Sequence, residues 1–537
     1  MELFLTGFIP FAFLAAAALP QFVDMTAQSG IAFKHEASHS AEKYLLESMS
    51  GGVAIFDYDG DGKLDLFFVN GASLPTMDKS GPRYWNRLYR NNGNFTFTDI
   101  TERAAVRGHS YGMGAATGDF DNDGRIDLYV SNYGRNILYR NRGDGTFADV
   151  TDQAGAAAAG WSAGAMFVDY DRDGALDLFV SRYVDWNFSH NPYCGDRKPG
   201  FRAYCHPDQF KPVSHLLLHN NRNGTFTDVS VKSGIAKAQG KGLGVAFQDY
   251  DRDGWPDILV ANDSFPQQLF HNKRDGTFEE VALALGLAYD DDGRNFAGMG
   301  ADFADYDNDG WPDVFINALA NQRYSLFRNL KESFEYVTGA SGVGKITARH
   351  SGWGTRFLDY DNDGWVDLFV AQGHVMDNIE LTQPGLRYLE PPLLMRNVKG
   401  KFEDVSMGSG EIFKTPLAAR GAAFGDLDND GFTDVVISCN DGRPVILRNH
   451  GNTNQWLTVN VVERAVGARV KLTGESGAIL ERLVSTAGSY LSASDPRVMF
   501  GLGQDRRIRS IEVTWPDGAA RRVENPEPGR IVNIAPR

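Results

Sequence analysis

Cysteine is scarce. Three residues in 537 exclude a fold built on a dense disulfide network. Basic charge is short as well, with 53 Lys and Arg against 69 Asp and Glu. The resulting formal charge of −16 argues against nucleic-acid binding through phosphate contacts. Helical periodicity is almost missing, and past Pro20 no apolar run is long enough to span a bilayer. No Ser-His-Asp or Cys-His set with a supporting pattern occurs, nor any phosphate-cradling glycine loop. With 42% hydrophobic and 12% aromatic residues, the chain can still bury sizeable cores.

The one long apolar stretch is MELFLTGFIPFAFLAAAALP at the start. Ala16-Ala17-Ala18 fits a small-residue cleavage site, so residues 1–18 read as an export signal, with a retained anchor as the alternative because Glu2 replaces the usual basic residue. The expected location is therefore secreted, extracellular or periplasmic, with no transmembrane segment left after cleavage.

What the chain has in abundance is one repeated motif, D-x-D-x-D-G-x-x-D, complete in seven copies. The first lies in FDYDGDGKLDL and supplies Asp57, Asp59, Asp61 and Asp65. The second and third supply Asp119, Asp121, Asp123 and Asp127, then Asp169, Asp171, Asp173 and Asp177. The fourth and fifth supply Asp249, Asp251, Asp253 and Asp257, then Asp305, Asp307, Asp309 and Asp313. The last two supply Asp359, Asp361, Asp363 and Asp367, then Asp426, Asp428, Asp430 and Asp434.

The flanks repeat too. A glycine stands five residues before each first aspartate: Gly52, Gly114, Gly164, Gly244, Gly300, Gly354 and Gly421. A β-like run such as DLFFVN follows the loop, then a strand ending in Asn (LYRN, LFHN, LFRN), a Gly-rich turn and an outer F-x-D-V-T strand. Four strands per unit at this period describe propeller blades, and the glycines suit close approach at a narrow central channel. The seventh unit lacks its outer strand, while FVDMT at Phe22–Thr26 precedes the first loop. The expected fold is thus all-β: a seven-bladed β-propeller over residues 22–450, its last blade closed by the N-terminal strand. Residues 452–537 break the repeat and alternate apolar and polar, which predicts a small C-terminal β domain, slightly basic against an acidic body.

Four carboxylates in nine positions repel one another unless a cation holds them. Ca²⁺ takes six to eight oxygens, and aspartates at positions 1, 3, 5 and 9, a glycine at 6 and the carbonyl of 7 can supply them. The seven loops hold 28 of the 69 acidic residues, and seven divalent cations would take the charge from −16 to −2. About one Ca²⁺ per blade is expected, with metal-free Asx turns as the bland alternative.

These repeats resemble the FG-GAP/VCBS type. The tail segments NQWLTVNVV, GARVKL, GSYLSASDPRVMFGLG and IEVTWPDG resemble the ASPIC/UnbV domain, and the combination is similar to the cartilage acidic protein family. The resemblance implies an extracellular, calcium-binding, non-catalytic protein concerned with adhesion or interaction, its partner an extracellular protein or glycan. A monomer is expected. The rival class is a polysaccharide lyase, since some calcium-loop propellers are lyases; it would need a base and a cation over the channel, and Arg356 and Arg420 alone do not assemble one.

Smaller signals remain. Cys194 and Cys205, with His190 and His206 nearby, read as a disulfide, with a metal site or free thiols as alternatives. Arg142-Gly143-Asp144 spells an attachment tripeptide but falls where the repeat places a hairpin turn. His219 and His271 stand where Arg90 and Arg140 stand in their repeats and read as turn residues. Loops 185–213 and 373–393 are the expected contact surfaces.

Overall fold

The computed structural model describes residues 21–536, so the export signal expected at residues 1–18 lies outside the described residues. Each repeat unit forms one antiparallel sheet of four strands, seven among the described residues. In sheet 1 the strands are Val53–Phe56, Asp65–Phe68, Arg87–Asn91 and Phe97–Asp99, paired in chain order. The first strands of sheets 2 to 7 are Tyr111–Gly118, Ser162–Val168, Gly242–Gln248, Ala301–Ala304, Gly352–Leu358 and Ala419–Gly425. In every sheet the Asp loop turns strand one into strand two, whose first residue is the last aspartate of the motif. Sheet 7 borrows its fourth strand from the other end of the chain: Phe22–Asp24 pairs with Val445–Asn449, Phe22 opposite Asn449.

The second strands are continuous apolar runs rather than alternating ones because both of their faces are covered. Leu66, Phe67 and Phe68 are all fully buried. The first strand of each sheet packs against that of the next, and that of sheet 7 packs against that of sheet 1. This contact explains the repeated glycines: a Cβ on Gly300 would collide with the carbonyl of Trp353 in the next sheet.

A second link runs round the same succession. The asparagine ending each third strand donates its amide to the sheet before it: Asn141 to Tyr58 O, Asn220 to Phe120 O, Asn272 to Tyr170 O, Asn329 to Tyr250 O, Asn397 to Tyr306 O and Asn449 to Tyr360 O, all at 2.7–2.8 Å. Asn91 of sheet 1 reaches Leu427 O of sheet 7 at 3.1 Å, so the series returns on itself. Asn329 Nδ2 also holds its own loop through Pro312 O at 3.0 Å. Replacing Asn329 with Leu strands two buried carbonyls and is expected to cost about 2–4 kcal/mol in urea unfolding. A cost under about 0.5 kcal/mol would mean that the link contributes nothing.

The C-terminal residues form two further sheets, Val498–Gly503, Gln455–Val461 and Ile531–Ile534 in one, Ile479–Leu483, Arg469–Gly474, Ile508–Thr514 and Ala520–Glu524 in the other. Their shared core includes Leu457, Val459, Val470, Ile511 and Val513. One segment of this unit leaves it. Residues 486–495 enter the space enclosed by the first strands and bond to six of the seven: Ala493 with Val53 and Ile55, Leu491 O with Ala115 N, Gly488 N with Val245 O, Ser489 with Ala301 and Thr355, and Asp495 N with Phe424 O. Tyr490 is fully buried, packs edge-on to Trp353 at 4.9 Å and donates its hydroxyl to Met49 O at 2.6 Å. The central space expected from the sequence is therefore filled by the chain's own C-terminal unit.

The opposite end is covered by loops that meet across the axis. Cys194 and Cys205 are joined there. Asn191 donates to Glu42 O at 2.8 Å, Arg202 pairs with Glu42 at 2.9 Å, Asn378 donates to Arg202 O at 2.9 Å, and Lys43 pairs with Asp377 at 2.5 Å. Loops 185–213 and 373–393 thus belong to one cap with residues 39–47. Among the described residues no helix is long and apolar enough to cross a membrane.

Candidate metal-binding face

The seven Asp loops lie at one end of the sheets, and each is held by its own carboxylates. In sheet 1, Asp57 accepts from the Gly62 and Gly60 N–H groups at 2.9 and 2.8 Å. Asp61 accepts from Lys63 N at 2.9 Å, and Asp65 accepts from Tyr58 N at 3.0 Å and Asn91 N at 2.8 Å. The bond from the position-6 glycine to the first aspartate recurs in all seven loops. So do both bonds to the last aspartate. Two left-handed residues make the tight turn possible, the position-6 glycine (Gly62, φ 81°) and position 4, which is Gly60, Asn122, Arg172, Arg252, Asn308, Asn362 or Asn429.

This scaffolding brings positions 1, 3 and 9 together. Oxygens of Asp57, Asp59 and Asp65 lie within 4.8 Å of one another, as do those of Asp119, Asp121 and Asp127 and of Asp169, Asp171 and Asp177. Position 5 is arranged differently. One oxygen accepts the position-7 N–H, and the other meets an arginine: Arg90 on Asp61 at 2.9 Å, Arg274 on Asp253 at 2.7 Å, Arg328 on Asp309 at 3.0 Å and Arg396 on Asp363 at 2.9 Å. The third-strand arginines also reach the position-3 aspartate, as Arg90 does Asp59 at 2.8 Å and Arg448 does Asp428 at 2.8 Å. In sheets 3 and 4 the third-strand residue is His219 or His271, 3.2 and 3.1 Å from Asp177 and Asp257, and the arginine on position 5 comes from the turn that follows, Arg222 on Asp173 at 2.8 Å and Arg274 on Asp253. Both histidines sit on strands, Leu216–Asn220 and Gln268–Asn272, not in turns as the repeat suggested, and face the aspartates.

The donor set fits a hard cation. Buried oxygens of Asp121, Asp171, Asp249 and Asp428 have no hydrogen-bond partner, and an orphaned buried carboxylate oxygen is costly unless something positive meets it. Burial also pushes the last aspartates up, to about 8 for Asp65 and Asp127, about 7 for Asp177 and Asp257 and about 9 for Asp313. Metal-free, such a carboxyl keeps its proton in the folded chain at a pH where the unfolded chain, near 3.8, has lost it. The folded state then binds more protons, and stability falls as pH rises from about 4 to about 8. The metal-free protein is accordingly expected to melt higher at pH 5 than at pH 7.5. Thermal melts in chelator at the two values check this, and a higher melting point at pH 7.5 would contradict it.

The C-terminal unit lies on this face and covers it unevenly. Asn452 and Asn454 donate to Asp361 O at 2.7 and 2.8 Å, and Gly503 N donates to Asn362 O at 2.8 Å. Arg497 donates to Asp426 O at 2.9 Å and Asn429 at 2.6 Å, and Arg469 lies 3.8 Å from Asp249. On the loop of sheet 3 it touches down through Arg172, which donates to Pro516 O at 2.6 Å, but over the loops of sheets 1 and 2 it stands off, leaving a cleft of about 930 Å³. Elsewhere, Arg142-Gly143-Asp144 is the hairpin turn, where Asp144 accepts from Thr146 N at 3.0 Å. Arg420 is fully buried and donates to Ser48, Ala419 and His374 carbonyls; it stacks 4.0 Å from Trp353 and faces no open channel.

Comparison with known proteins follows the two-part division. A family model described as an FG-GAP-like repeat matches residues 57–130, 119–180, 214–260, 249–316 and 305–370, more than half of the chain. A model described as ASPIC and UnbV matches residues 460–537. The chain is 26% identical over 513 residues to cartilage acidic protein 1 of Mus musculus, covering 92% of this chain and 66% of that protein. It is 28% identical over 318 residues to the Homo sapiens protein of that name, covering 57% and 46%. The chain thus spans about half to two thirds of the length of these relatives. Among solved structures, an Agrocybe aegerita lectin is 15% identical with a TM-score of 0.40, covering 73% of this chain and 86% of that one. An exotype rhamnogalacturonan lyase is 12% identical with a TM-score of 0.33, covering 94% and 91%. Superpositions this loose carry no argument about ligand or activity.

Proposed function

The chain belongs to the FG-GAP-like repeat family and ends in an ASPIC and UnbV domain, and from this premise we propose that it is a secreted, calcium-stabilised binding protein of the cell exterior. In this reading the seven sheets are the blades of a closed propeller, and each Asp loop holds one Ca²⁺ through positions 1, 3 and 9. When bound, the cation supplies charge neutralisation and cross-linking within the loop, not chemistry on a substrate. The observation that carries the reading is the set of orphaned buried carboxylate oxygens on Asp121, Asp171, Asp249 and Asp428.

The reading is of a non-catalytic protein. What supports it is the filled centre: residues 486–495 occupy the space over which a lyase would gather its base and cation. The name cartilage acidic protein, borne by its relatives, supports an extracellular setting. A glycan array paired with an ultraviolet assay for unsaturated uronate product tests both parts. Binding without product is expected, and product formation would overturn the non-catalytic reading. Uneven cover over the loops gives a further expectation: chelator-driven calcium release in two resolved phases, the loops of sheets 1 and 2 emptying before those under the C-terminal unit. A single phase in stopped-flow indicator experiments would contradict it.

A further inference from the structure

We propose that the cleft between the loops of sheets 1 to 3 and the C-terminal unit is a ligand site for a neutral, hydroxyl-rich oligosaccharide. The inference rests on the calcium reading and adds the ligand class. The cleft measures about 930 Å³, at the upper end of the roughly 300–1,000 Å³ range of small-ligand sites. It lies between two separately cored units, where such sites concentrate. Its floor includes the first aspartates Asp57, Asp119 and Asp169, and its roof includes Asn460 and Asn533.

Two observations point to an occupant. Thr117 lines the cleft, is fully buried, and its hydroxyl has no hydrogen-bond partner. Across the cleft, Asn460 Nδ2 donates to Asn533 Oδ1 at 2.9 Å, an amide pair on the sheet face with hydrogen-bonding capacity to spare. A ligand meeting both must carry donors and acceptors at short intervals, as a sugar does. The loops give the second reason. A Ca²⁺ accepts six to eight oxygens, and vicinal hydroxyls are a donor type that could join the loop oxygens. Arg464 and Arg497, the cleft's basic residues from the roof, are already paired with Asp517 and Asp495 at 2.7 and 2.8 Å, so no free cation there selects an anionic sugar. The loops beneath stay rich in carboxylate, which disfavours one.

The test uses the whole chain loaded with calcium and isothermal titration with maltotriose, mannotriose and cellotriose, alongside trigalacturonate and pentalysine. At least one neutral trisaccharide is expected to bind with Kd of about 1 mM or tighter. Asn533→Trp, at an exposed position, fills the cleft without touching an aspartate and is expected to weaken that binding at least about tenfold, whereas Ile479→Trp outside it does not. No neutral binding, binding indifferent to Asn533→Trp, or binding of trigalacturonate or pentalysine instead would each overturn the proposal. Elemental analysis separates the two readings. A chain without calcium that still binds a trisaccharide in an Asn533-dependent way would retire the calcium reading and keep the cleft.

Discussion

Removing calcium with EDTA is expected to lower the melting temperature by about 20 °C, and added calcium is expected to restore it. Each cation held at about a hundred times its Kd stabilises the folded state by about 2.7 kcal/mol, so seven together contribute about 19 kcal/mol. That exceeds the roughly 5–15 kcal/mol net stability of an ordinary domain, so the proposed calcium reading makes folding depend on the ions. A domain of this size has an unfolding entropy that turns each kcal/mol into about 1 °C, which sets the expected shift. The loop geometry gives the physical reason for expecting a steep dependence. Each last aspartate is buried, accepts two backbone N–H groups and lies against two other carboxylates. Emptied, the loop must take up protons or bear the repulsion, and the adjoining asparagine that links it to the preceding sheet moves with it. Magnesium restoring as much as calcium would point to a less selective site.

The second large effect concerns the C-terminal unit. A chain ending at Gly451 is expected to aggregate, because removal of residues 486–495 leaves backbone groups of Val53, Ile55, Ala115, Val245, Ala301 and Phe424 without their partners. The space vacated is lined by Met113, Leu243, Met299 and Trp353, all buried. A milder probe keeps the unit in place. Tyr490→Ala removes a fully buried ring packed on Trp353 and the hydrogen bond to Met49, and is expected to cost about 3–5 kcal/mol in urea unfolding. Increased binding of a hydrophobic dye should accompany it. A soluble, monomeric truncation with an unchanged melting point would mean that the segment is an accessory to the seven sheets.

Much of this was legible in the sequence because the repeat is local. Aspartate spacing and the glycine at position 6 act within one unit, and the FVDMT strand was legible across the length of the chain because the last unit lacks the strand it matches. What the spacing could not show was which carboxylates converge. Positions 1, 3 and 9 meet while position 5 turns to an arginine, and in five units that partner comes from the third strand, as Arg90 to Asp61 across 29 residues. A signal for it existed: the residue before each strand-ending asparagine is Arg or His in all seven units. The asparagine itself was read as a strand end, yet its recurrence at a position no strand requires pointed to a bond of its own. The segment at residues 486–495 left no such trace. Its partners on Val53 and Ala115 are hundreds of residues away, and small residues such as those in SYLSASD read equally well as a surface loop.

One number decides most. After loading with calcium and dialysis against chelator-treated buffer with a low, known concentration of calcium added back, elemental analysis of the intact protein, corrected for the buffer, should return about seven calcium ions per chain, one for each loop. A chain that is folded, melts cooperatively and carries no bound calcium would contradict the account at its centre.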